Sequence, residues 1–467
     1  MGTNETVLSK TQSLCPVCGK PTDAYYAETD GGVRFINDCP EHGQVSSAAA
    51  GDSAEFLEWM SAPIINIAPK LALTQGADNE CPLHCGTCDR HLQTACCVLL
   101  DVTDRCNQSC PWCFARADSQ ADGAADDPDL ALIERWYDRL TELGEERKFN
   151  IQISGGEPTV REDLPEIIAM GKRKDFEYIQ LNTNGRRIAL EDGYAEKLKA
   201  AGASVAFLQF DGLRDDIYEK LRGGPMLDVK RKAVERCRQA ELPVTLVPTV
   251  LKGVNLDNIG DMIRYMLENL DVVKGVHFQP ASFFGRHPLD RNAARGDYGE
   301  RVTMFDVMRG IEEQTDGLFK RKDMIPITAG HPLCCFSGSF LRETSGGVKS
   351  LMSAEQREYG ASCCCCEPDP LETIRKDRDF VLNKWDMDET DGAGDRCVSG
   401  EAEDDAMDFD AFISYVRRNR FTLTGMAFQD SNNLDAERLK RCRVQVFSRD
   451  ERLIPFCAYN SIYRSQH

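Results

Sequence analysis

The sequence predicts an α/β fold in which six βα units build a parallel sheet covered by helices. Apolar segments rich in Val, Ile, Leu and Phe recur along the middle of the chain, and amphipathic segments with helical spacing separate them. Strands of this composition joined by crossover helices are typical of a parallel sheet buried on both faces. The predicted strands are 98–103, 150–154, 179–183, 205–210, 244–250 and 276–280. The predicted helices are 129–143, 164–174, 195–201, 231–239 and 259–268.

Polar residues and glycines follow the predicted strands at the ends where a ligand could bind. The glycines allow a close backbone approach, Glu157 can accept a hydrogen bond from an ammonium group, and the asparagine amides can bond ribose hydroxyls. Each segment on its own would also fit an ordinary core strand. Because the carboxyl ends of parallel strands meet at one edge, together they predict a site there. These residues are Gly155, Gly156, Glu157, Asn182, Asn184 and Asp211.

Three cysteines after the first predicted strand have the spacing C-x3-C-x2-C. Cys106, Cys110 and Cys113 can each bind one iron of a cubane iron–sulfur cluster, which leaves the fourth iron open to a substrate. The alternatives are a zinc site or three buried thiols. The polar blocks after the later strands favour the cluster.

A second cysteine motif lies near the amino terminus. Cys15, Cys18, Cys39 and His42 form a C-x2-C and C-x2-H pair, which predicts a tetrahedral site for one zinc or iron ion. An accidental grouping is the alternative. We therefore expect residues 1–75 to hold a metal-binding knuckle and a linker.

A third set of cysteines precedes the first predicted strand. Cys81, Cys85, Cys88 and Cys96 can fully ligate an auxiliary [4Fe-4S] cluster within the segment 76–97, and Cys97 is expected to be a core thiol. The set at 106–113 is the better candidate for the open cluster. Only that set is followed at a suitable distance by a strand that ends in Gly-Gly-Glu.

The carboxyl-terminal region, 291–467, carries further cysteines. A predicted hairpin of 444–447 with 453–457 brings Cys442 and Cys457 together, and a second auxiliary cluster could add members of 334–335 and 363–366. Consecutive side chains diverge, so at most two or three of 363–366 can bind one cluster. Plain core cysteines are the alternative. The acidic stretch 386–410 is predicted to be a solvated loop or linker.

Composition limits the function further. The chain has 467 residues, a net charge of −20 and 21 cysteines. The negative charge disfavours nucleic acid as a partner, because binding nucleic acid requires a cationic surface. No segment has a transmembrane or signal-peptide pattern, so we expect a cytoplasmic protein in which clustered cysteines bind metals rather than form disulfides.

The cysteine spacing, Trp112 before the last cysteine, and the Gly-Gly-Glu segment resemble the radical S-adenosylmethionine (SAM) superfamily. The resemblance implies a partial (βα)6 TIM-like barrel over 98–290. It also implies reductive cleavage of SAM at the open iron of a [4Fe-4S] cluster, with an electron donor such as ferredoxin or flavodoxin. SAM would meet Gly155, Gly156 and Glu157 with its amine, the 182–185 segment with its ribose, and the backbone beside Trp112 with its adenine; Asp211 belongs to the same implied site.

The motifs at both ends of the chain resemble tetraether lipid synthases and their relatives. This finer resemblance implies that a deoxyadenosyl radical abstracts hydrogen from an unactivated carbon and that carbons of lipid chains are joined. The substrate would then be a lipid or small molecule, with peripheral membrane contact left open. The alternatives are a radical SAM methyltransferase, a peptide-modifying or pterin-modifying enzyme, and a non-catalytic iron–sulfur electron carrier. The last does not account for Glu157, Asn182 and Asn184.

Overall fold

The structure, a computed structural model, describes residues 5–71, 81–86, 88–117, 127–144, 148–288, 301–327, 329–352 and 409–464. Side chains are described from residue 414 onward in the last of these segments. The predictions for Cys363 to Cys366 and for most of the acidic stretch lie outside the described residues. The final two residues of that stretch belong to a helix that begins at Phe409.

The amino-terminal region forms a four-stranded antiparallel sheet in which the strands pair in chain order. Its two hairpin ends carry the predicted metal ligands, and a short helix follows whose first turn is capped by Asp52. The strands are β1 (Thr6–Leu14), β2 (Pro21–Thr29), β3 (Gly32–Cys39) and β4 (Gly43–Ala50), and the helix is α1 (Ser53–Met60).

The middle of the chain forms the predicted parallel sheet, with the order β5-β6-β7-β8-β9-β11. The six predicted strands are confirmed, and two helices instead of one follow both β7 and β8. The elements are β5 (Cys97–Asp101), α2 (Leu130–Leu143), β6 (Asn150–Ser154), α3 (Leu164–Arg173), β7 (Ile179–Thr183), α4 (Arg186–Leu190), α5 (Tyr194–Ala200), β8 (Val205–Gln209), α6 (Asp215–Arg222), α7 (Leu227–Gln239), β9 (Val244–Val247), β10 (Thr249–Val250), α8 (Ile259–Glu268) and β11 (Val273–Pro280).

The carboxyl-terminal region extends this sheet on both sides. β15 pairs in parallel with β11, while β16 pairs in parallel with β5 and forms the predicted hairpin with β17. The elements are α9 (Met304–Gln314), β12 (Ile325–Pro326), β13 (Cys335–Arg342), β14 (Val348–Ser350), α10 (Phe409–Asn419), β15 (Arg420–Met426), α11 (Ala436–Lys440), β16 (Val444–Phe447), β17 (Leu453–Pro455) and α12 (Phe456–Ala458), followed by a π-helical turn (Tyr459–Tyr463).

The long sheet runs from β12 at one edge to β17 at the other, so it is an open, partial barrel. Its central strands are buried on both faces, which explains their nearly continuous apolar sequence. The predicted α/β fold class is confirmed. Among the described helices, none has the length and apolar character needed to cross a membrane.

The amino-terminal sheet packs directly on the barrel. Trp59 donates to the carbonyl of Pro332 at 2.9 Å, and its ring lies 5.7 Å from that of Phe305. Tyr26 donates to the buried carboxylate of Asp435 at 2.9 Å. These contacts fix the amino-terminal sheet beside the carboxyl ends of β11 and β15.

Candidate active site

The three central cysteines lie in the loop after β5, at the carboxyl edge of the parallel sheet. Cys110 is buried, while Cys106 and Cys113 are half-buried. Burial, followed by the nearby Glu157 carboxylate, raises the pKa of Cys106 to about 12, and burial also raises the pKa of Cys110. Neutral thiols are therefore favoured in the free loop, and the thiolate form needs a bound cation such as an iron cluster.

The glycine pair after β6 supports this loop from one side. A Cβ on Gly155, whose φ is +128°, would lie 2.1 Å from the carbonyl oxygen of Thr103, and one on Gly156 would lie 2.2 Å from that of Arg105. The Gly156 and Glu157 amides donate to the same two carbonyls at 2.8 and 2.9 Å. The sequence predicts that these glycines let the backbone approach a ligand. In the structure they let it approach the loop before Cys106.

A second clasp holds the other end of the loop. Cys113 and Arg286 exchange two backbone hydrogen bonds, of 2.9 and 2.8 Å. The Arg286 guanidinium donates to the Cys110 carbonyl at 2.8 Å. A Cβ on Gly285 would lie 2.3 Å from the Cys113 carbonyl oxygen, so only glycine fits there. The sequence did not predict a role for Gly285 and Arg286, because the residues around them form no motif with a known spacing.

Glu157 is a buried carboxylate surrounded by neutral donors. It accepts from the hydroxyls of Thr159 and Thr183, both at 2.6 Å, and from the Asn184 amide at 2.6 Å. Within the described residues no Lys, Arg or His side chain forms an ion pair with it. A buried carboxylate usually requires a cation, and the ammonium group of SAM would supply one. The residues present therefore fit the predicted amine site.

The two asparagines after β7 have different surroundings. The Asn184 side chain donates to Asn107, inside the cysteine motif, at 2.7 Å and accepts from the Arg186 amide at 3.0 Å. Asn182 is half-buried and accepts from Gln180 at 2.7 Å. Asn184 thus ties the end of β7 to the cysteine loop, whereas Asn182 is the better placed of the two for the predicted ribose contact.

Asp211 forms a buried ion pair with Arg222. Their two contacts are both 2.7 Å, and Arg222 also donates to the carbonyl of Trp112 at 3.0 Å. Burial lowers the pKa of Arg222, but the charge of Asp211 outweighs it and the net pKa is raised. Asp211, predicted to contact the cofactor, therefore reaches the cysteine loop through Arg222, which sequence reasoning missed.

Lys230 lies beneath the same strand ends and is fully buried. Its ammonium group donates to the Asn184 carbonyl at 2.5 Å and to the Gln209 side chain at 3.0 Å. Burial lowers its pKa to about 8, opposed by Asp211. A helical lysine in a charged segment gives no sequence signal of such burial.

Trp112 contributes its ring to a small apolar cluster at the barrel mouth. Its ring centre lies 6.0 Å from that of Phe283 and 5.8 Å from that of His287. The side chain is buried, its amide donates to the Leu221 carbonyl at 3.3 Å, and the contact of its backbone with adenine stays a prediction.

The amino-terminal cysteines and histidine converge as predicted. The ligand atoms of Cys15, Cys18, Cys39 and His42 all lie within 4.8 Å of one another. Burial raises the pKa of Cys39, but hydrogen bonds from His42 and the Glu41 amide outweigh it and lower the pKa to about 6. Three thiols and one imidazole suit a tetrahedral zinc ion.

Replacing His42 by Ala is expected to remove a ligand and reduce bound zinc from one ion per chain to a small fraction. Because zinc-binding energy stabilises such small sheets, the first melting transition should shift to lower temperature. Zinc analysis and differential scanning calorimetry measure both effects. Glu41→Gln is the control, since Glu41 is exposed and pairs only with exposed Lys20. Equal zinc content in His42→Ala and the wild type would contradict the ligand assignment.

Three of the predicted auxiliary ligands act on one another. A hydrogen bond with Cys81, followed by burial, raises the pKa of Cys85, and the charges of Cys88 and Cys442 raise it further. Cys96 contacts the thiol of Cys97 at 3.6 Å. The assignment of Cys96 as the fourth ligand stays a prediction, and Cys442, which lies far away in the sequence, is a second candidate because its charge acts on Cys85.

Cys442 also adjoins a second group of thiols. Burial, then Cys457 and Cys334, raise its pKa well above the usual range. Burial likewise raises the pKa of Cys457 to about 12. Cys442 and Cys457 are therefore close enough for the charge of Cys457 to act on Cys442, as the predicted hairpin requires. Cys334 acts on both of them.

Two family models match the chain. One described as the radical SAM superfamily matches residues 100–266, and one described as an HMPTM N-terminal zinc ribbon domain matches residues 7–50. The second range contains all four ligands of the amino-terminal site, which favours zinc over iron.

Known proteins match over different lengths. The 7,8-dihydro-6-hydroxymethylpterin dimethyltransferase of Methanocaldococcus jannaschii is 31% identical over 493 residues, which cover 98% of this chain and 94% of that protein. A probable GTP 3',8-cyclase of Pyrococcus horikoshii is 32% identical over 36% of this chain and 50% of that protein. Among solved structures, Streptococcus suis SuiB bound to S-adenosylmethionine matches with a TM-score of 0.37 and 16% identity over 48% of each chain.

Proposed function

Since the chain belongs to the radical SAM superfamily, we propose that it is a radical methyltransferase whose substrate is a dihydropterin. Membership confirms the resemblance, the prediction of an enzyme, and the cofactors SAM and [4Fe-4S]. The methyltransferase proposal was an alternative in the sequence analysis. The observation that carries it is the 31% identity over 94% of a dihydropterin dimethyltransferase, a match that includes the zinc ribbon and the carboxyl-terminal region.

When bound, SAM and the cluster supply a 5'-deoxyadenosyl radical, which can abstract hydrogen from carbon. The chain's own residues position these groups. The Gly155–Gly156 backbone and Arg286 hold the two ends of the cysteine loop, and Asp211 holds its middle through Arg222. Glu157 would accept a hydrogen bond from the SAM ammonium group, and its burial would make that charge-assisted bond strong.

Joining of lipid chains, the main expectation from the sequence, is the second candidate. The observation in its favour is a cluster of rings between the cysteine loop and Cys457: Phe456 lies 4.5 Å from Phe428, 5.7 Å from Phe114 and 6.1 Å from Phe284. Phe114 is exposed and could meet an apolar substrate. Phe336, by contrast, is packed in the main core against Gly425 and does not belong to this cluster of rings.

Anaerobic incubation of reconstituted enzyme with SAM and a reductant tests the two candidates side by side. One reaction contains 7,8-dihydro-6-hydroxymethylpterin, and the other contains a lipid extract. The first reaction also contains a methyl donor, supplied as SAM in excess of that cleaved to the radical, and the reductant supplies the electrons. We expect 5'-deoxyadenosine and a pterin heavier by one or two methyl groups in it. Deoxyadenosine with coupled lipid chains, and no methylated pterin, would replace the proposal by the second candidate.

Replacing Glu157 by Gln is expected to weaken SAM binding by ~1.5–3 kcal/mol, the value of a hydrogen bond to a charged group. The change keeps the shape of the side chain and removes the charge that attracts the ammonium. Isothermal titration with SAM measures the loss. Glu162→Gln is the control, because Glu162 is exposed and pairs with Arg187 at the surface. Unchanged affinity in Glu157→Gln would argue against the amine site.

We further propose one or two auxiliary [4Fe-4S] clusters, built from Cys81, Cys85 and Cys88 with Cys442 or Cys96, and from Cys334, Cys442 and Cys457. Anaerobic sulfide analysis separates the possibilities, because two cubanes contain about eight sulfides per chain and three contain about twelve. About four sulfides would correspond to the SAM cluster alone and would refute both auxiliary clusters. We also propose that ferredoxin or flavodoxin supplies the electron.

A further inference from the structure

We propose that the cavity between the amino-terminal sheet and the carboxyl ends of β11 and β15 binds a phosphate group of the substrate. Tyr26 and Phe35 line it from the amino-terminal sheet, Ala281 from the end of β11, and Phe428 from the end of β15. Its volume is about 50 Å³, so it is a small site. The proposal rests on the proposed function in taking a phosphorylated dihydropterin as the ligand.

The charge of the cavity wall favours an anion. Of the described residues that line it, Arg301 and Arg438 are basic and none is acidic. Two buried carboxylates partner this wall: Asp430 accepts from Arg301 and from the Phe283 amide, and Asp435 accepts from Tyr26 and, against the effect of burial, raises the pKa of Arg438. Neither aspartate lines the cavity, so an anion there would meet the two guanidinium groups in addition to their present partners.

Both arginines also have donor capacity left over. Arg301 donates to Asp430 at 2.8 Å and Arg438 donates to the Ala427 carbonyl at 2.7 Å, and Arg438 also contacts Cys334. Each side chain is only 6% exposed. The Nε atom of each is buried and lacks a hydrogen-bond partner within the described part of the chain. A buried donor without an acceptor is costly, and a phosphate oxygen is a strong acceptor for a guanidinium.

The amino end of α9 also borders the cavity. Thr303, the N-cap of this eleven-residue helix, is one of the lining residues. Helix amino ends favour phosphate, but the Asp306 carboxylate already accepts from the amide and hydroxyl of Thr303 at 2.9 and 2.8 Å. The two arginines, and not the helix end, therefore supply the donors for an anion.

The cavity is close to the cysteine loop. The Arg301 guanidinium lies 4.7 Å from the centre of the Phe283 ring, which in turn lies 6.0 Å from Trp112. A phosphate held here could anchor one end of a substrate whose other end reaches the strand ends. The hydroxymethyl oxygen of the dihydropterin is where a phosphate ester would form. By contrast, Arg420 begins β15 at the opposite end of that strand.

Titration calorimetry with inorganic phosphate on the full-length, reconstituted protein tests the site without turnover. We expect saturable binding that Arg301→Gln and Arg438→Gln each weaken at least tenfold. Arg309→Gln is the matched control on the exposed side of α9, and its affinity should stay within twofold of the wild type. Absence of phosphate binding to the wild type, or equal weakening in the control, would overturn the proposal.

Two further measurements keep the result decisive. If Arg438→Gln loses iron or fails to fold, Arg301→Gln and Arg438→Lys decide, because Arg301 contacts none of the described cysteines and lysine retains the charge.

Displacement of bound phosphate by phosphorylated dihydropterin, but not by the free alcohol, supports the proposed source. Displacement by a short-chain phospholipid alone would overturn that source and favour a lipid phosphate. Phosphate binding that persists without any methyl transfer would count against the proposed function and leave the site intact.

Discussion

Replacing Cys110 by Ala is expected to reduce 5'-deoxyadenosine formation to background. Cys110 is one of the three thiols that we propose as ligands of the SAM cluster, and an incomplete ligand set cannot hold a cubane with one open iron. Two remaining thiols offer ligands for only two irons, so they would not compensate for its loss. Iron analysis, the visible absorbance of the cluster and chromatography of deoxyadenosine measure the effect.

The matched control for this change is Cys237→Ala. Cys237 is also a fully buried cysteine, but it lies on α7 and its described surroundings are apolar core. We expect a modest loss of stability from the lost sulfur and full retention of SAM cleavage. Deoxyadenosine formation by Cys110→Ala at the rate of Cys237→Ala would refute the ligand assignment.

Much of the parallel sheet could be predicted from the sequence because its signals are local. Strands buried on both faces must be apolar along their length, and the helices that cover them must alternate with a helical period. Cys106, Cys110 and Cys113, and the ligands Cys15 to His42, were also recognisable because ligand spacing is a local property. The observed bounds of β6, β7 and β8 match the predicted ones closely.

The remaining features depend on contacts between distant segments. Arg222 and Arg286 each donate to a carbonyl of the cysteine loop, 110 and 176 residues away. No spacing rule reports such a partner. The pairing of β15 with β11 and of β16 with β5, on opposite sides of the six predicted strands, depends on the same kind of long-range contact.

The Gly-Gly-Glu segment shows how a correct residue can receive an incomplete role. Sequence reasoning identified the glycines as sites of close approach, which the structure supports, but the approaching group is the Thr103–Arg105 backbone. Glycine permits close contact with any neighbour, so the sequence alone does not identify which neighbour it is. The consequence is that the glycines position the cysteine loop.

Replacing Gly156 by Ala is therefore expected to destabilise the cluster even though Gly156 binds no iron. The new Cβ would lie 2.2 Å from the Arg105 carbonyl oxygen, and neither backbone segment can move without disturbing the bond from the Glu157 amide to that carbonyl. Overpacking of this kind costs about 1–3 kcal/mol or more, and here the displaced atoms lead directly into Cys106.

We expect Gly156→Ala to lower the free energy of unfolding by at least ~2 kcal/mol and to lose most of its cluster iron and SAM cleavage. Gly224→Ala is the control, because no atom lies within 4 Å of its added Cβ and its backbone is not left-handed. Urea unfolding of the metal-free protein separates the two effects from each other. A Gly156→Ala variant with wild-type stability and iron content would show that the loop tolerates the added carbon. The close packing of the glycines would then play no part in holding the cysteines.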